Sequence, residues 1–99
     1  MDTAHKLQVL QDIYTDKAVL NQILEKLLQV TLNQHRSRLQ RYTRELEIFE
    51  KQFGIKSDLF HSRFEAGEMG DAMDYFEWAG LYELYQDILE KVQRLEQAL

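Results

Sequence analysis

The sequence contains no cysteine and no proline, and only four of its 99 residues are glycine. Without cysteine the chain has neither a disulfide nor a thiolate ligand set for zinc, as is common in a reducing cytosol. No apolar run approaches the ~20 residues of a membrane-spanning helix. The alternation of apolar and polar residues after residues 1–6 argues against a signal peptide. We therefore expect a soluble cytoplasmic protein with no membrane partner.

The short length implies a thin margin of stability. We expect one helical domain, residues 1–99. A chain of this size buries only roughly 60–65% of its unfolded surface, and no disulfide reinforces the core. Binding to a second chain is therefore an expected source of additional stability.

Charge is unevenly distributed along the chain. Residues 1–56 carry nine Lys/Arg and seven Asp/Glu, a net charge of +2, whereas residues 57–99 carry three and ten, a net charge of −7, giving the total of −5. The acidic half repels phosphate and suits a basic protein surface. A nucleic-acid partner is therefore disfavoured.

One long helix is predicted over about residues 16–53, which contain neither Gly nor Pro. Thr15-Asp16 is a candidate N-terminal cap, and Gly54 is placed to end the helix in a left-handed conformation. The apolar positions recur at intervals of four and three, with His35 the one polar member, where it would set register or partner choice. This seam comprises Leu28, Leu32, His35, Leu39, Tyr42, Leu46, Phe49 and Phe53.

Two further helices are predicted after Gly54. Ser57-Asp58 would cap a short helix of about residues 58–65, and Asp71 would cap a last helix of about 72–98. Gly80, inside the last helix, is interpreted as a point of close backbone approach. Residues 1–15 form an arm that is helical or loosely ordered.

These elements predict an all-α fold, an antiparallel hairpin of two long helices with a short connecting helix. The last helix spans roughly 42 Å and covers only about residues 26–53 of the long one, so leucines would project beyond the hairpin. We expect the hairpin to dimerise into a four-helix bundle, or to be completed by another protein. The candidate interface residues are Leu20, Ile23, Leu24, Leu27, Tyr75, Tyr82 and Tyr85.

The acidic residues offer only a weak case for a metal. Those at positions 65, 68, 71, 74 and 77 recur every three residues, which favours a solvated helix start over a magnesium or calcium site. Paired acids, Glu47 and Glu50 with 65/68 or 71/74, resemble the magnesium sites of all-helical nucleotide pyrophosphohydrolases, a distant third function. His61 and Glu65 share a helix face but are only two ligands. We therefore expect no metal, no cofactor and no catalytic residue.

Basic and aromatic clusters have structural interpretations as well. The arginines at 36, 38, 41 and 44 fan over a wide arc, and we expect Arg41 to pair with Glu45 and Arg44 with Glu47. Seven of the eleven aromatic residues fall within 26 positions. Phe60, Phe64 and Trp78 are assigned to the core, whereas the tyrosines at 75, 82 and 85 are left open as partner anchors.

One segment resembles a known group of proteins. The string Phe-Glu-Ala-Gly-Glu-Met-Gly-Asp at residues 64–71, followed by Phe-Glu-Trp at 76–78, is similar to short, all-helical, largely uncharacterised prokaryotic proteins, some of them toxin–antitoxin components. The resemblance extends over residues 53–85, about a third of the chain. It implies a non-enzymatic antitoxin-like module that neutralises a basic toxin. The alternative is a self-associating scaffold or adaptor.

Overall fold

The computed structural model describes residues 2–99 and consists, within that range, of helices and connecting loops without strands. Four helices follow one another: α1 (Thr3–Ile13), α2 (Lys17–Phe53), α3 (Ser57–Glu65) and α4 (Met73–Ala98). The prediction of an all-α fold is confirmed.

The two ends of α2 follow from local sequence. The Asp16 side chain accepts a hydrogen bond from the Ala18 backbone N–H, which satisfies a donor at the first turn. At the other end Gly54 has φ +73°, and its N–H donates to the Glu50 carbonyl at 2.8 Å. A side chain is disfavoured in this left-handed conformation, so glycine ends the helix here as predicted.

The predicted caps of α3 and α4 are wrong. The N-cap of α3 is Lys56, and Ser57 is the first helical residue. The N-cap of α4 is Ala72, without a side-chain hydrogen bond, because Asp71 lies one residue too early. The free N–H of Ser57 instead donates to the Glu50 carboxylate at 2.8 Å. A side chain from α2 thus replaces the local cap of α3.

The long helices α2 and α4 pack against each other as an antiparallel hairpin. Arg36 of α2 pairs with Glu96 near the end of α4 at 3.8 Å, and Leu99 lies beside the second and third turns of α2, at Gln22, Glu25 and Lys26. Residues 17–21 of α2 therefore extend past α4. The molecule measures 59 × 24 × 18 Å, close to the ~55 Å length of α2 alone, so α1 cannot continue the axis of α2.

The core is densest where α3 closes the hairpin. Trp78 and Phe60 are fully buried, and their rings stack in parallel with centroids 3.7 Å apart. Phe49 and Phe53 of α2 stack against the same indole at 5.6 and 5.5 Å. The predicted core positions of Phe60 and Trp78 are confirmed, whereas Phe64 is half-buried. Away from this cluster the hairpin is held by Leu32, Ile88 and Val92, all buried.

Gly80 does not mark a close backbone approach. It lies on the exposed side of α4, and a Cβ built on it would meet nothing within 4 Å. The expectation failed because Gly80 lies outside the face that packs on α2, to which its neighbour Ala79 belongs.

Leu20 also departs from expectation. It is only 6% exposed, whereas Ile23 is 45% and Leu27 63% exposed, and Leu24 is half-buried. Leu20 is thus buried within a single chain, in which α1 ends at Ile13 and α2 begins at Lys17. The projecting surface is therefore real but does not include Leu20.

None of the helices within residues 2–99 combines the length and apolarity needed to cross a bilayer.

Candidate functional site

An open cleft of about 470 Å³ lies where α2, α3 and α4 meet. Its walls carry three carboxylates, two tyrosines and one lysine among nine lining residues: Thr43, Leu46, Glu47, Glu50, Lys56, Ser57, Asp58, Tyr82 and Tyr85. We call this the acidic cleft. Acids outnumber bases three to one around it, so it attracts cations.

One side of the acidic cleft is fixed by two hydrogen bonds that meet at the buried Ser57. The indole N–H of Trp78 donates to the Ser57 hydroxyl at 3.0 Å, and the Ser57 backbone N–H donates to the Glu50 carboxylate. Because Ser57 is only 3% exposed, its hydroxyl and its backbone N–H find their hydrogen-bond partners in Trp78 and Glu50. The second oxygen of Glu50 lies 3.9 Å from the Lys56 ammonium. The chain from Trp78 to Glu50 therefore holds α2, α3 and α4 in register.

The tyrosines line one wall of the cleft. The ring centroids of Tyr82 and Tyr85 are 5.9 Å apart. Burial raises the pKa of Tyr82, the negative charges of Asp58 and ionised Tyr85 raise it further, and a hydrogen bond with Gln86 offsets part of the effect. Tyr82 therefore remains a neutral phenol that presents both a ring face and a hydroxyl.

The three candidate interface tyrosines do not share one environment. Tyr75 is packed between aromatic side chains of the core, with centroid distances of 5.3 Å to Phe53 and 5.7 Å to Phe60. Tyr82 and Tyr85 border the acidic cleft. Tyr75 thus belongs with the core cluster, and the other two tyrosines are available at the cleft.

A second surface runs along the projecting end of α2. Val19, Ile23, Leu27 and Val30 are 40%, 45%, 63% and 54% exposed. Their spacing of four, four and three places them within about 80° of one helix face, and we call them the apolar stripe. Sequence reasoning selected Ile23 and Leu27 but missed both valines, although the spacing alone could have identified them. Leu7, Leu10 and Ile13 of α1 are also exposed.

The arginine cluster does not form the expected local pairs. Within residues 2–99, neither Arg41 nor Arg44 forms an ion pair. The Arg41 guanidinium instead lies 5.3 Å from the centroid of the Tyr42 ring. Arg41 and Arg44 lie on the helix surface, where other interaction partners such as the Tyr42 ring are available. The i,i+4 spacing alone therefore did not decide their partners.

The acidic run is not gathered into one site. In the part of the chain that the structure describes, the one group of three or more potential metal ligands joins Glu65 to His61 and to Glu83 of α4. The paired acids at 47/50, 65/68 and 71/74 do not converge. Sequence reasoning missed Glu83, which lies 18 residues beyond Glu65 and carries no signal that links it to α3.

His35 lies in the α2–α4 groove as the seam predicted. Its Nδ1 is 2.8 Å from the Thr31 carbonyl oxygen, which can only accept a hydrogen bond, so Nδ1 carries the proton. The groove beside it is lined by Leu28, Leu95 and Ala98 together with Lys91 and Arg94. A role of His35 in register or partner choice stays a prediction.

Comparison of the chain with known protein families, with curated proteins and with solved structures finds no match in any of the three.

Proposed function

We propose that this chain is a protein-interaction module, an antitoxin-like component that binds and neutralises a basic partner protein. The observation that carries the proposal is the acidic cleft, which is lined by Glu47, Glu50 and Asp58 together with Tyr82 and Tyr85. The net charge of −7 on residues 57–99 extends the same field over the rest of that half. The resemblance of residues 53–85 to short helical prokaryotic proteins, some of them toxin–antitoxin components, supports the same role.

The cleft suits an arginine or lysine side chain of the partner. A guanidinium donates two parallel hydrogen bonds to a carboxylate and stacks on an aromatic face, and a tyrosine ring adds roughly 0.5–2 kcal/mol of cation–π attraction. Glu47 and Asp58 are exposed and free to reorient, while Glu50 is held by Ser57 and Lys56. The two exposed acids would therefore capture the cation, and the tyrosines would cover it.

Expression of the adjacent reading frame, alone and together with this chain, tests the proposal. We expect the neighbour to be a small basic protein that arrests growth, and this chain to bind it and relieve the arrest. The double variant Glu47→Arg/Asp58→Arg should lose both binding and rescue. Glu90→Arg, which replaces an exposed acid of α4 that does not line the cleft, should retain them. Arrest that persists with this chain present, or equal rescue by the cleft variant, would refute the antitoxin-like role.

Self-association is the second candidate, and the apolar stripe supports it. Full burial of a Val, Leu or Ile side chain gains about 1.5–3 kcal/mol, so each half-exposed member of the stripe gains roughly 1 kcal/mol more. Two copies of the four-residue stripe thus contribute about 8 kcal/mol, comparable to the 4–15 kcal/mol cost of association. The exposed side chains of α1 would add to this, and two hairpins joined in this way form a four-helix bundle.

Sedimentation equilibrium distinguishes the dimer from a monomer. We expect the wild-type chain to dimerise, and Leu27→Glu to shift it to the monomer. Ile48→Glu is the matched control, because Ile48 is 65% exposed against 63% for Leu27 but lies outside the stripe. A monomeric wild type, or equal effects of the two variants, would contradict dimerisation through this surface.

A further inference from the structure

A histidine and two carboxylates from different helices meet at the surface of α3 and α4. The Nε2 atom of His61 lies 3.5 Å from a carboxylate oxygen of Glu65 and 3.3 Å from one of Glu83. All three potential ligand atoms lie within 4.8 Å of one another. His61 and Glu65 share one face of α3 through their i,i+4 spacing, and Glu83 is supplied by the facing surface of α4.

The distances between these atoms differ from those of a good ion pair. A charged N–H donates to a carboxylate at about 2.7–2.9 Å, and both distances from His61 are clearly longer. In a tetrahedral zinc site, ligand atoms about 2.0–2.1 Å from the ion stand about 3.3–3.4 Å apart. The two distances from His61 match that spacing. We propose that His61, Glu65 and Glu83 form a binding site for a divalent transition-metal ion of the zinc type.

The site needs only a small adjustment to close around an ion. The two carboxylate oxygens lie at most 4.8 Å apart, so they approach each other by no more than about 1.4 Å to reach the tetrahedral spacing. The side chains of Glu65 and Glu83 are 60% and 61% exposed, and they can rotate to do so. His61 is 19% exposed and packs on the Tyr82 ring at 5.0 Å, so the nitrogen ligand is already oriented.

The donor set selects the class of ion. Imidazole nitrogen and carboxylate oxygen are both zinc ligands, whereas Mg²⁺ and Ca²⁺ prefer oxygen ligands alone. The two carboxylates balance the charge of a divalent ion, and the acidic C-terminal half raises the local cation concentration. Three protein ligands leave the fourth tetrahedral position to water.

Metal binding would fasten the C-terminal half of α3 to the middle of α4. An ion that binds only the folded chain shifts the unfolding equilibrium toward the folded state as its concentration rises. The three ligands are not among the residues that line the acidic cleft, although His61 packs on Tyr82, which does line it. Variants of the ligands and variants of Glu47 and Asp58 therefore test zinc binding and partner binding separately.

Equilibrium dialysis of the full, untagged chain against Zn²⁺ tests the inference. We expect one saturable equivalent of zinc and a rise in Tm with zinc concentration. The substitutions His61→Asn and Glu83→Gln each remove one ligand. Each should lower the affinity for zinc by roughly tenfold or more. Glu83 is exposed, so its variant remains folded even if His61→Asn does not, as circular dichroism will show.

Three variants serve as controls. His5→Asn and His35→Asn remove the other histidines of the chain, and Glu90→Gln removes an exposed carboxylate elsewhere on α4. All three should retain the wild-type affinity. The inference is overturned by the absence of saturable zinc binding, by undiminished binding in Glu83→Gln, by loss of binding in His5→Asn, or by a preference for Mg²⁺ over Zn²⁺.

Discussion

Replacement of Ser57 by alanine probes the buried hydrogen bonds at the closed end of the hairpin. The Ser57 hydroxyl is the acceptor for the Trp78 indole N–H at 3.0 Å, and both residues are at most 3% exposed. Ser57→Ala removes that acceptor without altering the stacked aromatic rings. The indole N–H is then left buried and without a partner in the wild-type geometry.

The expected cost follows from the burial of the orphaned donor. An unsatisfied buried polar group costs about 1–3 kcal/mol of folding free energy, which is more than the net contribution of a typical hydrogen bond to stability. For a domain of this size each kcal/mol lowers Tm by about 4–8 °C, so we expect Tm to fall by roughly 4–24 °C. Because small domains have only about 5–15 kcal/mol of stability in total, the effect is readily measured.

Urea unfolding followed by Trp78 fluorescence and by far-UV circular dichroism measures this cost, since Trp78 is the single tryptophan. The matched control is Ser62→Ala, an exposed serine on the same helix, which should change stability by less than about 0.5 kcal/mol. Combination with Trp78→Phe should show coupling, because the second replacement removes the donor. If Ser57→Ala is no less stable than Ser62→Ala, the hydrogen bond does not hold the three helices in register.

Three further predictions concern particular positions. Gly54→Ala should destabilise the chain by about 1–2 kcal/mol, because φ is +73° there. Gly80→Ala, in open space within α4, should instead stabilise it by roughly 0.5–1 kcal/mol. Chemical unfolding that gave both changes the same sign would contradict this. Because the pKa of Tyr82 is raised above 10.0 in the folded chain, its contribution to stability is full below the unfolded pKa and is lost as the pH rises through the folded pKa. Urea midpoints measured above pH ~10 should therefore fall less in Tyr82→Phe than in the wild type, and Asp58→Asn should lower the Tyr82 pKa in a spectrophotometric titration. Leu20→Ala should cost about 2–5 kcal/mol, since Leu20 is 6% exposed, and a loss below 1 kcal/mol would show that the side chain is not buried in solution.

Local sequence was sufficient for the helices and for the end of α2. The absence of Gly and Pro across the long helix, the four-and-three spacing of its apolar residues and the glycine that follows Phe53 all act within one or two turns. Such features depend only on backbone propensity and on neighbours close in the chain. The expected overhang of α2 beyond α4 follows equally from counting residues at a fixed rise.

The candidate site required the tertiary structure. Helical periodicity assigns residues to faces, but it does not say which turn of one helix stands level with which turn of another. The alignment of α3 along α4 is set by the stack of Phe60 on Trp78 and by the hydrogen bond between Trp78 and Ser57. Those contacts bring Asp58 to the tyrosines of the acidic cleft and Glu83 to His61.

The sequence by itself therefore determined which segments are helical, where the longest one ends and which face of it is apolar. Only the tertiary structure decided that Leu20 is covered, that Ser57 serves the core instead of a helix cap, and that a carboxylate of α4 meets a histidine of α3. The physical reason is that propensity and periodicity act over one or two turns, whereas the contacts of Ser57 with Trp78 and of His61 with Glu83 join residues 21 and 22 positions apart. Their partners are chosen by side-chain packing between helices, which no local pattern records.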